Sequence, residues 1–175
     1  MFNFKFLYFC LAVFLCSYSS VSANDLYGFW QTVDNQTHQP TSIIAIYPYQ
    51  GMIFGKIVAS YDKQGNLEET LYQPRSRARG LQGRPYYCGL DFIWVSPAIA
   101  TAREPAKGHV IDPRSGKVYS AKLWVEKGNL VLRGELMMFG KNEILLPFPE
   151  QNFNAGFQKP NLYQIIPTWS LNSGL

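Results

Sequence analysis

The sequence predicts an all-β protein: an antiparallel up-and-down barrel of about eight strands, with one long irregular loop and a C-terminal extension. Strand-like runs rich in β-branched and aromatic residues dominate the chain, and tight-turn residues separate them. No segment keeps a helical period of apolar residues over three turns. A closed barrel is favoured over an open sheet because closure removes the free strand edges.

The first residues predict a secretory signal peptide, residues 1–23. Lys5 precedes an apolar run of about ten residues, too short for a permanent membrane anchor, and small residues follow it. We expect cleavage after Ala23 and a periplasmic or secreted protein. Lipoprotein processing at Cys16 is the alternative, and Leu15 argues against it because that cleavage favours a small residue before the cysteine.

Loss of this segment changes the cysteine count and the charge. Of the three cysteines only Cys88 remains, so an internal disulfide is excluded and the fold must depend on its core. Fifteen cationic and twelve anionic side chains remain, a mild excess well below that of a nucleic-acid-binding face. We expect a monomer with a barrel domain at residues 24–148 and an extension at residues 149–175.

The first predicted hairpin follows the mature start. Thr41–Tyr49 is β-branched and aromatic, and a second apolar run begins directly after Gln50-Gly51, which predicts a tight turn at that pair. Gly89–Pro97 is a further apolar run that ends at a proline. Each run predicts one strand.

The stretch from Gly108 to Leu136 predicts a three-stranded meander. Its first turn is Asp-Pro-Arg-Ser-Gly, with an aspartate to start the turn, a proline at its second position and a glycine to close it. Its second turn surrounds Lys127-Gly128-Asn129. Apolar residues alternate along the middle strand, so one face should point inward. That face consists of Tyr119, Ala121, Leu123 and Val125.

Two segments predict irregular structure, residues 62–87 and 147–162, because both are rich in Gly, Pro, Asn and Gln. The first contains an arginine-rich stretch at residues 74–84 that predicts a flexible loop. Forked guanidinium contacts could hold the phosphates of anionic lipid headgroups there, although a solvated loop is the simpler interpretation. The candidate side chains are Arg75, Arg77 and Arg79.

Several short motifs stand at spacings typical of one family. They are a Gly-x-Trp near the mature start, a Gly-Lys-Ile in the second hairpin, Ile-x-Asp-Pro-x-x-Gly-Lys-x-Tyr, and a later Arg-Gly. The third motif is the most specific. The residues concerned are Gly28, Trp30, Gly55–Ile57, Ile111, Asp112, Pro113, Gly116, Lys117, Tyr119, Arg133 and Gly134.

On these motifs the chain resembles the exported bacterial family known as domain of unknown function 2147, from Leu26 to Pro147. The resemblance implies export and a small calycin-like barrel, similar to lipocalins, and it implies no activity. Two features depart from the family pattern. A cysteine pair found in many members is missing, and the chain continues beyond the usual last strand into an extension that contains Trp169.

The resemblance also implies a role for the Gly28-x-Trp30 motif. In lipocalins a tryptophan at this place closes the barrel floor, and an arginine from a late strand packs over its ring. Arg133 lies on a late predicted strand, so we predict a Trp30–Arg133 stacking pair that seals one barrel end. The aromatic residues Phe92, Trp94 and Tyr119 should then fill the interior or line a ligand pocket.

Catalytic interpretations are weaker. Asp112 near His109 and Lys117 resembles a general base, but an aspartate before proline at a turn usually binds backbone N–H groups, and we expect Lys117 to pair with it. Cys88 with His109 and Asp112 would form a thiol nucleophile, base and orienting group, yet no local signature surrounds the cysteine. The few His and Cys side chains argue against a zinc site.

We therefore expect a non-enzymatic binding module, without cofactor or metal, that holds a lipid or another small hydrophobic molecule in the barrel mouth. The alternative is a filled barrel that contacts an envelope protein or an anionic headgroup. No nucleic-acid partner is expected. A thiol enzyme built on Cys88 is the third hypothesis.

Overall fold

The chain forms a closed antiparallel barrel of eight strands with a ninth strand outside it, which confirms the all-β prediction. The computed structural model describes residues 26–34, 36–97, 101, 103–136, 139–153 and 157–168. The predicted signal peptide and Trp169 lie outside these ranges. The strands are β1 Gly28–Val33, β2 Pro40–Tyr49, β3 Met52–Tyr61, β4 Leu67–Thr70, β5 Asp91–Val95, β6 Ala106–Ile111, β7 Val118–Glu126, β8 Asn129–Leu136 and β9 Phe139–Pro147.

Up-and-down connections close the barrel. Strands β1, β2 and β3 follow one another, β5 pairs with the first half of β3, and β6 to β9 continue the order until β9 returns to β1. Closure is made where Trp30 of β1 faces Pro147 of β9. The extra strand β4 pairs with the last residues of β3, Ala59 to Tyr61, beyond the end of β5.

Two hairpin turns form where the sequence predicts them. Gln50 and Gly51 join β2 to β3 with φ of 46° and 77°, and Lys127 and Gly128 join β7 to β8 with φ of 52° and 78°. Positive φ at both central residues gives the type I′ turn, whose twist matches that of the flanking strands. The predicted meander of β6, β7 and β8 is confirmed.

An apolar core fills the barrel around Trp30, the end at which β1 begins. The face of β7 predicted to point inward does so: Ala121 and Leu123 are buried, whereas Ser120 on the other face is exposed. The remaining buried members of this core are Leu26, Ile44, Ile46, Ile53, Ile57, Cys88, Ile93, Val95, Ala106, Leu130, Leu132 and Leu145.

A second cluster lies on the outer face of β1, β2 and β3, under the C-terminal extension. Ile165 of the extension is buried in it, and three phenylalanines pack around it. Phe153 meets Phe29 edge to face at 4.9 Å and stacks on Phe157 at 4.5 Å. The extension therefore docks on the barrel wall. The barrel residues buried beneath it are Phe29, Ile43, Ala45, Tyr47, Phe54, Val58 and Ala59.

The segments predicted to be irregular contain more structure than expected. Strand β4 lies within residues 62–87, and the arginine-rich stretch folds back on itself through an antiparallel bridge between Arg77 and Tyr86. The extension includes a short 3-10 helix, Glu150–Asn152. No helix in the described ranges is long and apolar enough to cross a membrane.

Candidate functional site

Two adjoining cavities occupy the barrel end opposite Trp30. The mouth cavity, about 760 Å³, lies among the ends of β1 and β3, the start of β2 and the arginine loop, residues 74–87. The wall cavity, about 510 Å³, lies against β6, β7 and β8. Both are lined by Phe92, Pro113, Lys141 and Glu143, so they adjoin at the rim.

The wall cavity is apolar on its inner side. Val110, Tyr119 and Leu132 line it on the successive strands β6, β7 and β8, and Gly134, two residues after Leu132 on β8, lines it as well. Alternation explains this, because residues paired directly across a ladder share one face of the sheet. A side chain at Gly134 would extend toward Val110, so the glycine leaves part of this cavity open.

Glu69 holds the arginine loop over the mouth. Its carboxylate, on β4, accepts hydrogen bonds from the backbone N–H groups of Arg75 at 2.6 Å and Ser76 at 2.9 Å, and from the hydroxyls of Ser60 and Ser76. Burial alone would raise the pKa of Glu69, but these bonds outweigh it and lower the pKa below its usual value. The loop is therefore ordered, contrary to the sequence-based expectation of flexibility.

The arginine loop also contacts the Asp112–Lys117 turn through two glycines. The Gly80 N–H donates to Pro113 O at 3.2 Å, and a Cβ on Gly116, whose φ is 72°, would collide with the Gly80 carbonyl. Only glycine permits this approach of two backbones. Arg79 and Arg114, which neighbour Gly80 and Pro113 in sequence, both line the mouth cavity.

The predicted aromatic residues divide between the inside and the outside of the wall. Phe92 and Tyr119 line the cavities. Trp94 does not: it lies on the outer face and stacks on His109 at 5.6 Å. The reason is a β-bulge in β5. Ile93 pairs with Gly55 and Asp91 pairs with the next residue of β3, Lys56, so Phe92 is an extra residue without a partner on β3.

The predicted arginines take different positions. Arg79 lines the mouth cavity, as does Arg77, whose guanidinium also lies 3.6 Å over the Tyr86 ring and donates to Arg84 O at 3.2 Å. Arg75 lines neither cavity and contributes its backbone N–H to Glu69.

The predicted Trp30–Arg133 pair is wrong. The Trp30 indole N–H donates to Leu26 O at 3.0 Å inside the barrel, whereas the Arg133 guanidinium donates to Asn142 at 3.0 Å on the outer face. Arg133 alternates with the inward-facing Leu132, so its side chain cannot enter the core. Trp30 is a buried member of the barrel core, and the bond to Leu26 satisfies its indole N–H.

Asp112 is a turn residue, as the simpler interpretation predicts. Its carboxylate accepts from the Arg114 N–H at 2.9 Å and the Ser115 hydroxyl at 2.6 Å, and the Ser115 bond is the main cause of its lowered pKa. Gly116 closes the turn by donating to Asp112 O at 2.8 Å. The predicted side-chain pairing with Lys117 is wrong, because these two residues meet through the Asp112 N–H and the Lys117 carbonyl.

The proposed thiol, base and orienting group do not assemble. The Cys88 thiol is buried near Glu69 O at 3.8 Å, and burial raises its pKa to about 12. His109 stacks on Trp94 outside the barrel, and Asp112 is engaged by its own turn. Such a thiol is a poor nucleophile. Among the described residues, no group of His, Cys, Asp and Glu side chains gathers into a metal-binding cluster.

The sequence analysis did not identify a buried ion pair on the outer wall. Lys56 and Asp91 lie 2.8 Å apart with side chains 3% and 1% exposed. Asp91 also accepts from Tyr47 at 2.5 Å and from both the N–H and the hydroxyl of Thr168, at 2.6 and 2.7 Å. Burial and the Asp91 charge raise the pKa of Tyr47. The Gly-Lys-Ile motif is the signal that could have indicated Lys56.

Comparison with known proteins agrees with this architecture. Residues 28–145 match the model of the family described as "Uncharacterized protein conserved in bacteria", domain of unknown function 2147. The chain belongs to this family. A search of curated proteins finds no match. Among solved structures the chain is similar to protein HP1028 from Helicobacter pylori, described as belonging to the lipocalin family. The TM-score is 0.53 at 16% identity, over 72% of this chain and 84% of that one, which supports a lipocalin-like fold.

Proposed function

We propose that this family member is a non-enzymatic binding protein that holds a small apolar or amphipathic molecule in the open end of its barrel. The two adjoining cavities carry the proposal. Their volumes, about 760 and 510 Å³, fall in the range of ligand pockets. Apolar side chains line the inner part and polar groups the rim, an arrangement that suits a molecule with one apolar and one polar end.

The same residues argue against a catalytic role. The buried thiol is protonated at neutral pH, and the best candidate base, Asp112, is occupied by its turn. We also propose that the mature protein acts as a monomer in the periplasm or outside the cell. The signal-peptide pattern of residues 1–23 and the single remaining cysteine support export without a disulfide.

Binding of the neutral fluorescent probe N-phenylnaphthylamine tests the proposal. We expect its fluorescence to rise with wild-type protein and to stay at background with Gly134→Leu, because the new side chain fills the wall cavity next to Val110. The matched control is Ser120→Leu, which adds the same group on the exposed face of β7 and should bind as wild type does.

Native mass spectrometry of protein purified from its own host complements this experiment. A co-purifying lipid or metabolite that is lost in Gly134→Leu would support the proposal. If neither the probe nor a co-purifying molecule binds to wild type, the proposal fails, and the filled-barrel alternative, an envelope-interaction protein, is favoured instead.

A further inference from the structure

We infer that Arg79 and Arg114 form an anion subsite at the rim of the mouth, so that the ligand is an amphiphile with a phosphate or carboxylate head group. This inference rests on the proposed function and specifies the ligand's chemistry. The apolar chain would lie in the wall cavity among Phe92, Tyr119 and Leu132. The head group would remain at the rim.

The backbone contact between the arginine loop and the Asp112–Lys117 turn brings Arg79 and Arg114 to the same cavity. Arg79 precedes Gly80, whose N–H binds Pro113 O, and Arg114 follows that proline. Both arginines line the mouth cavity. Tyr87 lines the same cavity, and both arginine side chains are exposed. Two arginines so placed can bind one anion by forked, charge-assisted hydrogen bonds.

The other cations of the mouth are already engaged, which distinguishes this pair. Lys141 is bound to Glu143 at 2.6 Å, and Arg77 is bound to Tyr86 and to the Arg84 carbonyl. Within the described ranges, the guanidiniums of Arg79 and Arg114 form neither a hydrogen bond nor an ion pair.

The acids of the mouth are mostly engaged as well. The Glu69 carboxylate is buried under four donors, and Asp34 accepts from the N–H groups of its own turn at 2.9 and 2.7 Å. Glu68 on β4 is exposed and lines the same cavity. The hydrogen bonds to Glu69 and Asp34 come from neutral donors, so both carboxylates keep their charge, and among the described residues the four acids that line the mouth balance its four cations. The preference for an anionic head group therefore depends on the guanidiniums of Arg79 and Arg114, which have no hydrogen-bond or ion-pair partner of their own among these residues.

Titration with three amphiphiles of equal chain length tests the inference: decyl phosphate, decanoate and neutral decanol. We expect wild type to bind both anions more tightly than decanol. The double variant Arg79→Gln/Arg114→Gln should weaken the binding of both anions by about ten- to a hundredfold and leave the binding of decanol unchanged, because only the charged contacts are lost. Glu68→Gln should strengthen the binding of both anions. Inorganic phosphate alone should not displace decyl phosphate, which separates a lipid head group from free phosphate.

The matched control is Arg75→Gln/Lys117→Gln. It removes the same charge from the same loop and turn, at residues that line neither cavity. If the control variant weakens the binding of the anions as much as the test variant does, the inference is overturned while the proposed function stands. The same holds if wild type binds decanol as tightly as it binds the anions. If no amphiphile binds to wild type, both are overturned. Displacement of decyl phosphate by inorganic phosphate at similar concentration would reassign the subsite to free phosphate and overturn the lipid assignment.

Discussion

At the scale of single residues, the buried polar groups around the mouth are structural. Glu69 and Cys88 are 4% and 2% exposed, and each has a hydrogen-bond partner among its neighbours. A buried polar group is costly unless it is hydrogen-bonded, so the partners of Glu69 explain why a carboxylate is tolerated there.

The Cys88 thiol should be unreactive in the folded protein. With its pKa raised to about 12 by burial and by the nearby Glu69 charge, the thiolate fraction near neutral pH is negligible. We expect labelling by Ellman's reagent to be slow in native buffer and fast in denaturant. Rapid labelling of the native protein would contradict the buried position of the thiol.

Replacement of Glu69 should destabilise the protein in a pH-dependent way. Glu69→Gln turns an amide N–H toward the backbone N–H donors of Arg75 and Ser76, so we expect a loss of about 1.5–3 kcal/mol in unfolding free energy near neutral pH. Urea denaturation measures it. Glu68→Gln, next in sequence but exposed, should change stability by less than about 0.5 kcal/mol.

The sign of the pH dependence follows from the lowered pKa of Glu69 in the folded state. Its stabilisation is fully present above the unfolded value of about 4.3 and is lost as pH falls through the folded pKa. The difference between wild type and Glu69→Gln should therefore be constant near neutral pH and shrink in acid. A difference that grows in acid would contradict the assignment.

At the scale of structural elements, close backbone contacts decide how the loops sit on the barrel. Gly116 and Gly128 both close tight turns with φ of 72° and 78°, yet only Gly116 meets another segment, at Gly80. A Cβ on Gly128 has nothing within 4 Å. An alanine at Gly128 would therefore suffer only the strain of positive φ, whereas an alanine at Gly116 would suffer that strain and a steric collision as well.

Gly116→Ala should destabilise the protein more than Gly128→Ala. Strain at positive φ should reduce the unfolding free energy of each variant by about 1 kcal/mol. Gly116→Ala should lose more because its methyl group pushes the turn away from the arginine loop. Thermal denaturation compares the two variants. Equal losses would show that the turn and the loop do not rest on each other.

Breaking the buried Lys56–Asp91 pair should be costly, because it would leave one charge unpaired in the barrel wall and because Asp91 also binds Thr168 of the extension. Asp91→Asn leaves the Lys56 charge buried without a full partner and weakens the bonds from Thr168, so we expect a loss of about 3–5 kcal/mol. The half-exposed Lys122–Glu135 pair is the control, and Glu135→Gln should cost much less than Asp91→Asn.

Thr168→Val keeps this comparison informative if Asp91→Asn fails to fold. It removes a single hydroxyl bond to Asp91, and we expect about 1 kcal/mol of destabilisation with faster proteolysis within residues 157–168. Unchanged proteolysis would show that the Thr168 hydroxyl does not hold the extension in place.

At the scale of the whole molecule, the barrel is packed at one end and hollow at the other. The apolar core around Trp30 supports the fold, and the cavities lie beyond it. Stability and binding therefore depend on different ends of the same closed sheet.

Ligand binding should consequently raise stability without rearranging the core. At about 100 times its Kd, a bound amphiphile should raise the unfolding free energy of wild type by about 2.7 kcal/mol. Gly134→Leu should show no such increase, whatever its own stability. Denaturant titrations with and without decyl phosphate measure both. An equal increase in Gly134→Leu would place the binding site outside the wall cavity.

The sequence by itself determined the fold class, most of the strands and the two hairpin turns. These features depend on neighbours in the chain: period-two alternation assigned the inner face of β7, and Gln50-Gly51 and Lys127-Gly128 supplied the residues that type I′ turns require. The same local reasoning identified Asp112 as a turn residue and Phe92 and Tyr119 as candidates for the cavity lining.

Only the tertiary structure decided the remaining features, because they depend on residues far apart in sequence. The bulge in β5 places Phe92 in the cavity and Trp94 outside it, and alternation within β8 separates Arg133 from Trp30. Asp91 meets Lys56 and Thr168 across long stretches of chain, and Gly80 meets Gly116 the same way. Local periodicity carries no information on such contacts, so the docked extension and the cavities of the open end emerge only when the sheet closes.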